Sequence, residues 1–121
     1  MSKRDIRLFL NDTLEAIEKI ERYISDLSFE QFEANDMAID AVVRNLEIIG
    51  EAARQIPIDL RARYSTIDWT RVVGFHKIVF HKYFDVDLEI VWTIATQRLY
   101  ELKIVLQQML QDLDLGNGDQ N

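Results

Sequence analysis

Residues 36–57 read DMAIDAVVRNLEIIGEAARQIP. Their apolar positions Met37, Ala41, Val42, Leu46, Ile49, Ala53 and Ile56 recur mostly every three or four residues. That spacing lines up one face of a helix with 3.6 residues per turn. Asn35 or Asp36 can cap the start, and Pro57, the single proline of the chain, ends the run. Upstream the same period appears in Ile6, Leu10, Leu14, Ile17, Ile20, Ile24 and Leu27, with Ser2 as a plausible cap. Between the two stripes, Ser28 followed by Gln31 has the spacing of a capping box and opens a short helical segment.

Downstream, residues 58–66, IDLRARYST, read as a short turn-rich connection. Asp68 can then cap a helix through WTRVVGFHKIVFHK, residues 69–82. Its portion VVGFHKIVF is β-branched and aromatic, and alone it could form a strand. A single strand has no pairing partner in a helical chain, so a helix is predicted. Gly74 inside it costs about 1 kcal/mol relative to Ala, which suggests close approach of a neighbouring helix or a second subunit. Asp87 can cap the last helix, with the stripe Leu88, Val91, Trp92, Ala95, Leu99, Leu102, Val105 or Leu106, Met109 and Leu113. Period-2 alternation is absent. The expected fold is all-α, an up-and-down bundle of four main helices plus short helical segments. One domain spans residues 1–113, and residues 114–121 form a polar flexible tail.

Composition narrows the function. Fourteen Lys and Arg stand against 21 Asp and Glu, giving a formal charge of −7. A field of that sign repels phosphate, so any nucleic-acid contact must be local. The chain has no cysteine, which removes disulfides and thiolate metal sites and fits a reducing cytoplasm. No signal-peptide core is visible and no apolar run reaches membrane-spanning length.

One window departs from the acidic average. Residues 69–87, WTRVVGFHKIVFHKYFDVD, contain no acid before Asp85. Both histidines, His76 and His81, fall within it, beside Lys77, Lys82 and Tyr83. Imidazole titrates at about 6.5, so His81 suits a proton donor or acceptor near neutral pH. Metal binding is not expected there, because the two histidines lack the i, i+4 spacing that aims both at one ion. The aromatics Trp69, Phe75, Phe80, Phe84 and Trp92 are expected as core or dimer contacts rather than base-stacking platforms. Arg44, Glu47 and Glu51 share one helix face, either as a solvated ion-pair ladder or as the lining of a site.

Several stretches together resemble the HepT-like family of the HEPN superfamily. They are AVVRNLEIIGEAARQIP (41–57), IDWTRVVGF (67–75), HKYFDVD (81–87), VW (91–92) and the first helix beginning KRDIRLFLNDTLEAIEKI. The resemblance spans nearly the whole chain, in order. It implies a helical, homodimeric toxin that cleaves RNA without a metal or other cofactor, using the substrate's own 2′-OH as nucleophile. It also implies a minimal nucleotidyltransferase antitoxin as partner, which transfers AMP to the motif tyrosine.

The family motif is Arg, four residues, His, any residue, Tyr. His81 and Tyr83 match its last two positions, while the arginine position holds His76 and is followed by Lys77. The resemblance therefore assigns His81 to acid–base work, His76 to the altered cation position and Tyr83 to AMP modification. Lys77, Lys82 and Arg44 are assigned to substrate binding. Arginine keeps its charge and grips phosphate with two parallel donors; histidine does neither at pH 7. Reduced or lost cleavage is therefore expected, and a degenerate partner-binding module is the alternative. In another arrangement His76 and His81 act as an acid–base pair. Five residues apart on an ideal helix they diverge by about 140°, so this needs a distorted helix near Gly74 or pairing across a dimer.

Overall fold

The first helix, α1, runs Lys3–Ile24, and its start is closed by the Ser2 side chain accepting from the Asp5 amide at 3.1 Å. The computed structural model describes residues 1–75, 77 and 87–119. The expected stripe is the buried face of α1: Leu10, Leu14, Ile17, Ile20 and Ile24 lie in the core, with Ile6 and Leu27 at its edge. The capping box forms as read, with Ser28 Oγ accepting from Gln31 N at 3.1 Å and Gln31 Oε1 accepting from Ser28 N at 2.9 Å. It opens the short α2, Phe29–Glu33. Asn35, not Asp36, caps α3, Asp36–Arg54, by accepting from the Ala38 amide at 3.0 Å.

Helices α1 and α3 form the main packing pair of the molecule. Phe9 of α1 shares a groove with Ala52 and Gln55, and Lys19 shares one with Asn45, so the two helices run antiparallel. Leu10, Ile17 and Ile20 meet a facing row of Val42, Leu46, Ile49 and Ala53, all fully buried. Two polar groups are buried with them, and each is satisfied within its own helix. The Thr13 hydroxyl donates to the Phe9 carbonyl, and the Asn45 side-chain amide donates to the Ala41 carbonyl, both at 2.8 Å. Met37 departs from its expected place in the α3 stripe. It is 83% exposed, and the first buried residues of the helix are Ala38 and Ile39. Met37 precedes Val42 by five residues, so it lies about 140° round the helix from the buried face.

The segment expected to be turn-rich instead begins with one helical turn, α4, Ile58–Ala62, with Pro57 at its N-cap. Proline is well suited there, because an amide hydrogen at a helix start has no intrahelical partner. Arg61 Nε donates back to the Ile56 carbonyl at 3.0 Å and folds the turn against the end of α3. Asp68 caps α5, Trp69–Val73, by accepting from the Arg71 amide. The helix expected over 69–82 is interrupted at Gly74 and Phe75, Lys77 is again helical, and residues 76 and 78–82 lie outside the described residues. Beyond Val73 the bonds tighten to three-residue spacing, Phe75 N to Val72 O and Lys77 N to Gly74 O, each 3.0 Å. With that spacing, side chains three apart eclipse, and Trp69, Val72 and Phe75 all turn into the core. The nearest described atoms to a Cβ at Gly74 would be the Thr70 and Arg71 carbonyl oxygens of its own turn, each 3.3 Å away. Among the described residues no neighbouring helix approaches Gly74 that closely.

The last stretch is one composite rod. Asp87 accepts from the Glu89 amide and starts α6, Leu88–Thr93. A π-helical turn, Ile94–Arg98, follows, and then α7, Leu99–Asp119. The expected stripe is preserved across the π turn, with Val91, Ala95, Leu99, Leu102, Leu106 and Met109 buried. Helix α7 continues through Asp119, past residue 114 where a polar tail is expected. It runs antiparallel to α1, since Lys103 pairs with Glu21 at 2.9 Å near one end and Arg7 pairs with Asp114 near the other. The Tyr64 hydroxyl donates to Asp112 at 2.5 Å and ties the α4–α5 connection to α7. Burial and then this bond push the Tyr64 phenol up to about 12, while the same bond holds Asp112 below its ordinary range.

The architecture is therefore an all-α bundle, with no strand among the described residues. Phe32 fastens α2 to α6: it is fully buried, with its ring centroid 5.1 Å from that of Trp92. Replacing Phe32 by Ala should cost about 3–5 kcal/mol of unfolding free energy. Met37→Ala should change it by less than about 0.5 kcal/mol. Urea titration followed by circular dichroism checks both, and equal losses would contradict the burial pattern described here.

Candidate active site

The acid-poor window enters the structure as α5 and leaves it at Asp87. His76, His81, Lys82 and Tyr83 lie outside the described residues, as do Phe80 and Phe84. The flanks on both sides are defined, and they line a common cleft of about 630 Å³. Arg71, Gly74 and Phe75 come from the entering side, and Asp87, Glu89 and Ile90 from the leaving side. Thr93, Ile94 and Arg98 form the remaining wall. His76 directly follows Phe75 in the chain, so the altered motif position is one peptide bond from this cleft.

Helical spacing puts Arg98 on the cleft side of the last rod, four residues after Ile94 and eight after Ile90, which line the cleft with it; the π turn adds Thr93 to that face. Thr93 and Arg98 are five residues apart, and on an α-helix they would diverge by about 140°. In a π turn the backbone closes from i to i+5, as the bond from the Leu99 amide to the Ile94 carbonyl shows. Residues five apart then fall on nearly the same face, and both side chains line the cleft. Within this turn the Thr96 hydroxyl donates to the Trp92 carbonyl at 2.7 Å.

The two arginines differ in how firmly they are held. Arg71 Nε lies 3.9 Å from Asp68 Oδ2, with both side chains exposed. That is the outer limit of an ion pair and contributes little. Arg98 is exposed and makes no ion pair with a described carboxylate. The Asp87 carboxylate is engaged in capping α6, which leaves Glu89 as the acidic side chain of the cleft without such a bond.

Of the expected substrate-binding residues, Lys77 is exposed, and its amide is bonded to the Gly74 carbonyl. Arg44 lies on the outer face of α3, where it donates to Glu47 Oε2 at 3.1 Å; Glu51 pairs likewise with Arg54 at 3.0 Å. That face carries two separate ion pairs, and it borders a second groove of about 430 Å³ between α1 and α3, with Phe9, Asp12 and Ile48. Trp69 and Phe75 are core residues, and Trp92 packs edge-on against Phe29 at 6.1 Å. Among the described residues, no cluster of three or more histidines and carboxylates is placed to hold a metal ion. No described helix is long and apolar enough to cross a membrane.

Arg98 is the residue that sequence reasoning misses. It follows Ile90 and Ile94 at helical spacing, but nothing local shows that their shared face borders a cleft. Arg71 is visible in the sequence but is five residues too early to fill the motif position.

The model of the family described as ribonuclease HepT-like matches residues 13–109. The chain belongs to that family. The match includes Arg44, Arg71, the segment from His76 to Tyr83, and Arg98. Among curated relatives, a Methanocaldococcus jannaschii protein named as a candidate RNase is 39% identical over 85% of this chain and 94% of its own length. A Thermococcus cleftensis protein named as a candidate ribonuclease HepT is 36% identical over 84% of this chain and 92% of its own. A longer Methanocaldococcus jannaschii protein, named as both a gamma-glutamylcyclotransferase and a candidate RNase, is 35% identical over 97% of this chain. The chain spans only 53% of that relative, about half its length. No solved structure matches the chain.

Proposed function

We propose that this chain is the toxin of a HepT-type toxin–antitoxin pair, a metal-independent RNA endonuclease acting in the cytoplasm as a homodimer. The observation that carries this reading is the family match across residues 13–109, with His81 and Tyr83 in place within it. In the proposed reaction a base removes the proton from a 2′-OH, the oxygen attacks the adjacent phosphorus, and the 5′-oxygen leaves with a proton. His81 handles a proton, because imidazole exchanges one readily near neutral pH. The negative charge that develops on the phosphoryl oxygens needs a fixed cation. His76 occupies that position and supplies only part of a charge at pH 7, so turnover is slow.

Tyr83 is proposed as the acceptor of AMP from a minimal nucleotidyltransferase partner. The added phosphate brings a bulky anion to the site and excludes RNA by charge and volume. The substitution at position 76 also supports a second reading, in which the chain no longer cuts and serves as a dimeric docking module for that partner.

Three measurements test the proposal. His76→Arg should raise cleavage of RNA by the purified protein by about 10²–10³-fold, and His81→Ala in that background should remove the gain. Equal rates with His and Arg at position 76 would mean the cation lies elsewhere, and no cleavage by either form would leave the docking module. Incubation with the nucleotidyltransferase and ATP should add the mass of one or more AMP units, and Tyr83→Phe should block the addition. An unchanged mass, or the same gain on the Phe variant, would exclude Tyr83 as the acceptor. Light scattering at micromolar concentration should report a dimer, since specific interfaces bury on the order of 1,200–2,000 Å² and persist at that concentration. A monomer would remove the dimeric element from both readings.

A further inference from the structure

We propose that the cleft between α5, α6 and the π turn is a nucleotide subsite for the RNA substrate. Arg71 and Arg98 hold one phosphate, and Ile90 and Ile94 seat the adjoining base. This assignment rests on the ribonuclease reading and deepens it.

Size and lining both fit one nucleotide. A volume of about 630 Å³ falls within the roughly 300–1,000 Å³ of sites that enclose small ligands. The apolar wall is Phe75, Ile90 and Ile94, and Ile90 is 58% exposed although it is a large aliphatic side chain. A base face laid on Ile90 removes that surface from water. The cations come from two separate elements, Arg71 from α5 and Arg98 from the π turn. Arg98 has no described carboxylate to give up, and Arg71 gives up only a 3.9 Å contact between exposed groups. Both are therefore available to an incoming anion at little cost, and each offers the planar donor fork that suits phosphate.

The acids sharpen this reading. Asp87 and Glu89 share the cleft with the arginines, so it is not a groove for a continuous polyanion. It suits one phosphate beside a base edge whose amino group can donate to Glu89. Phe75, which lines the cleft, directly precedes in the chain the motif position that lacks its arginine.

The test separates binding from cleavage. A 2′-O-methyl RNA oligonucleotide has no free 2′-OH and cannot react by the proposed route, so its binding can be followed by fluorescence anisotropy across a salt series. The full chain is compared with Arg71→Gln, Arg98→Gln, the double variant and Ile90→Asp. Arg22→Gln controls for loss of one exposed positive charge on α1. Each cleft arginine variant should bind about tenfold more weakly or worse at low salt. Each should also flatten the dependence of log affinity on log salt by about 0.7, a change that a purely structural role does not produce. Ile90→Asp should weaken binding as well, with its melting temperature maintained. If the arginine variants keep the affinity and slope of the Arg22→Gln control, the subsite is wrong. Absence of binding by the unaltered chain also overturns it. Cleavage of unmodified RNA, measured in parallel, decides the ribonuclease reading independently.

Discussion

Everything else in this molecule is hung on the antiparallel contact between α1 and α3. Leu10, Ile17 and Ile20 on one helix and Val42, Leu46, Ile49 and Ala53 on the other exclude water completely. The two polar groups caught in the contact, Thr13 and Asn45, bond to carbonyls four residues back. They therefore carry little of the cost of an unsatisfied buried dipole. Elements that reach this seam are positioned by it. Helix α5 packs on α3 through Trp69, Val72 and Phe75, and α7 lies along α1. Together these fix the two flanks of the acid-poor window on a rigid base.

The chemistry of the proposed site turns on where positive charge is found in a chain of formal charge −7. Five of the described cations are paired with carboxylates: Arg7 with Asp114, Lys19 with Glu15, Arg44 with Glu47, Arg54 with Glu51 and Lys103 with Glu21. Lys103 is held charged chiefly by its bond to Glu21. Arg98 is among the cations with no ion pair to a described carboxylate, and Arg71 is only loosely tied. These two meet in the cleft between α5 and the π turn.

How much of this was legible in advance follows the range of the interaction involved. Capping is local, so Ser2, Ser28 with Gln31, Asn35, Asp68 and Asp87 were readable from a few letters each, and every one caps as read. Burial stripes were readable because helical geometry converts a period into a face. Met37 was placed in the stripe although it precedes Val42 by five residues, which turns it away from the buried face. The turn at 58–62 carried a usable signal in Pro57, whose place at a helix start outweighs its role as a terminator. The end of α5 at Val73 depends on Phe75 turning into the core, which no local pattern announces.

The sequence by itself determined the helical class, the caps, the main buried faces and the family, including the unusual histidine at position 76. Each of these is written in residue identity and spacing. Only the tertiary structure decided that Arg98, downstream of the motif, shares a cleft with Arg71, upstream of it. That meeting depends on how α5 packs beside the face that carries Ile90, Ile94 and Arg98. Helical spacing puts those three on one face, but which element lies against the face is settled by packing between parts distant in the chain, and a list of residues does not contain its outcome.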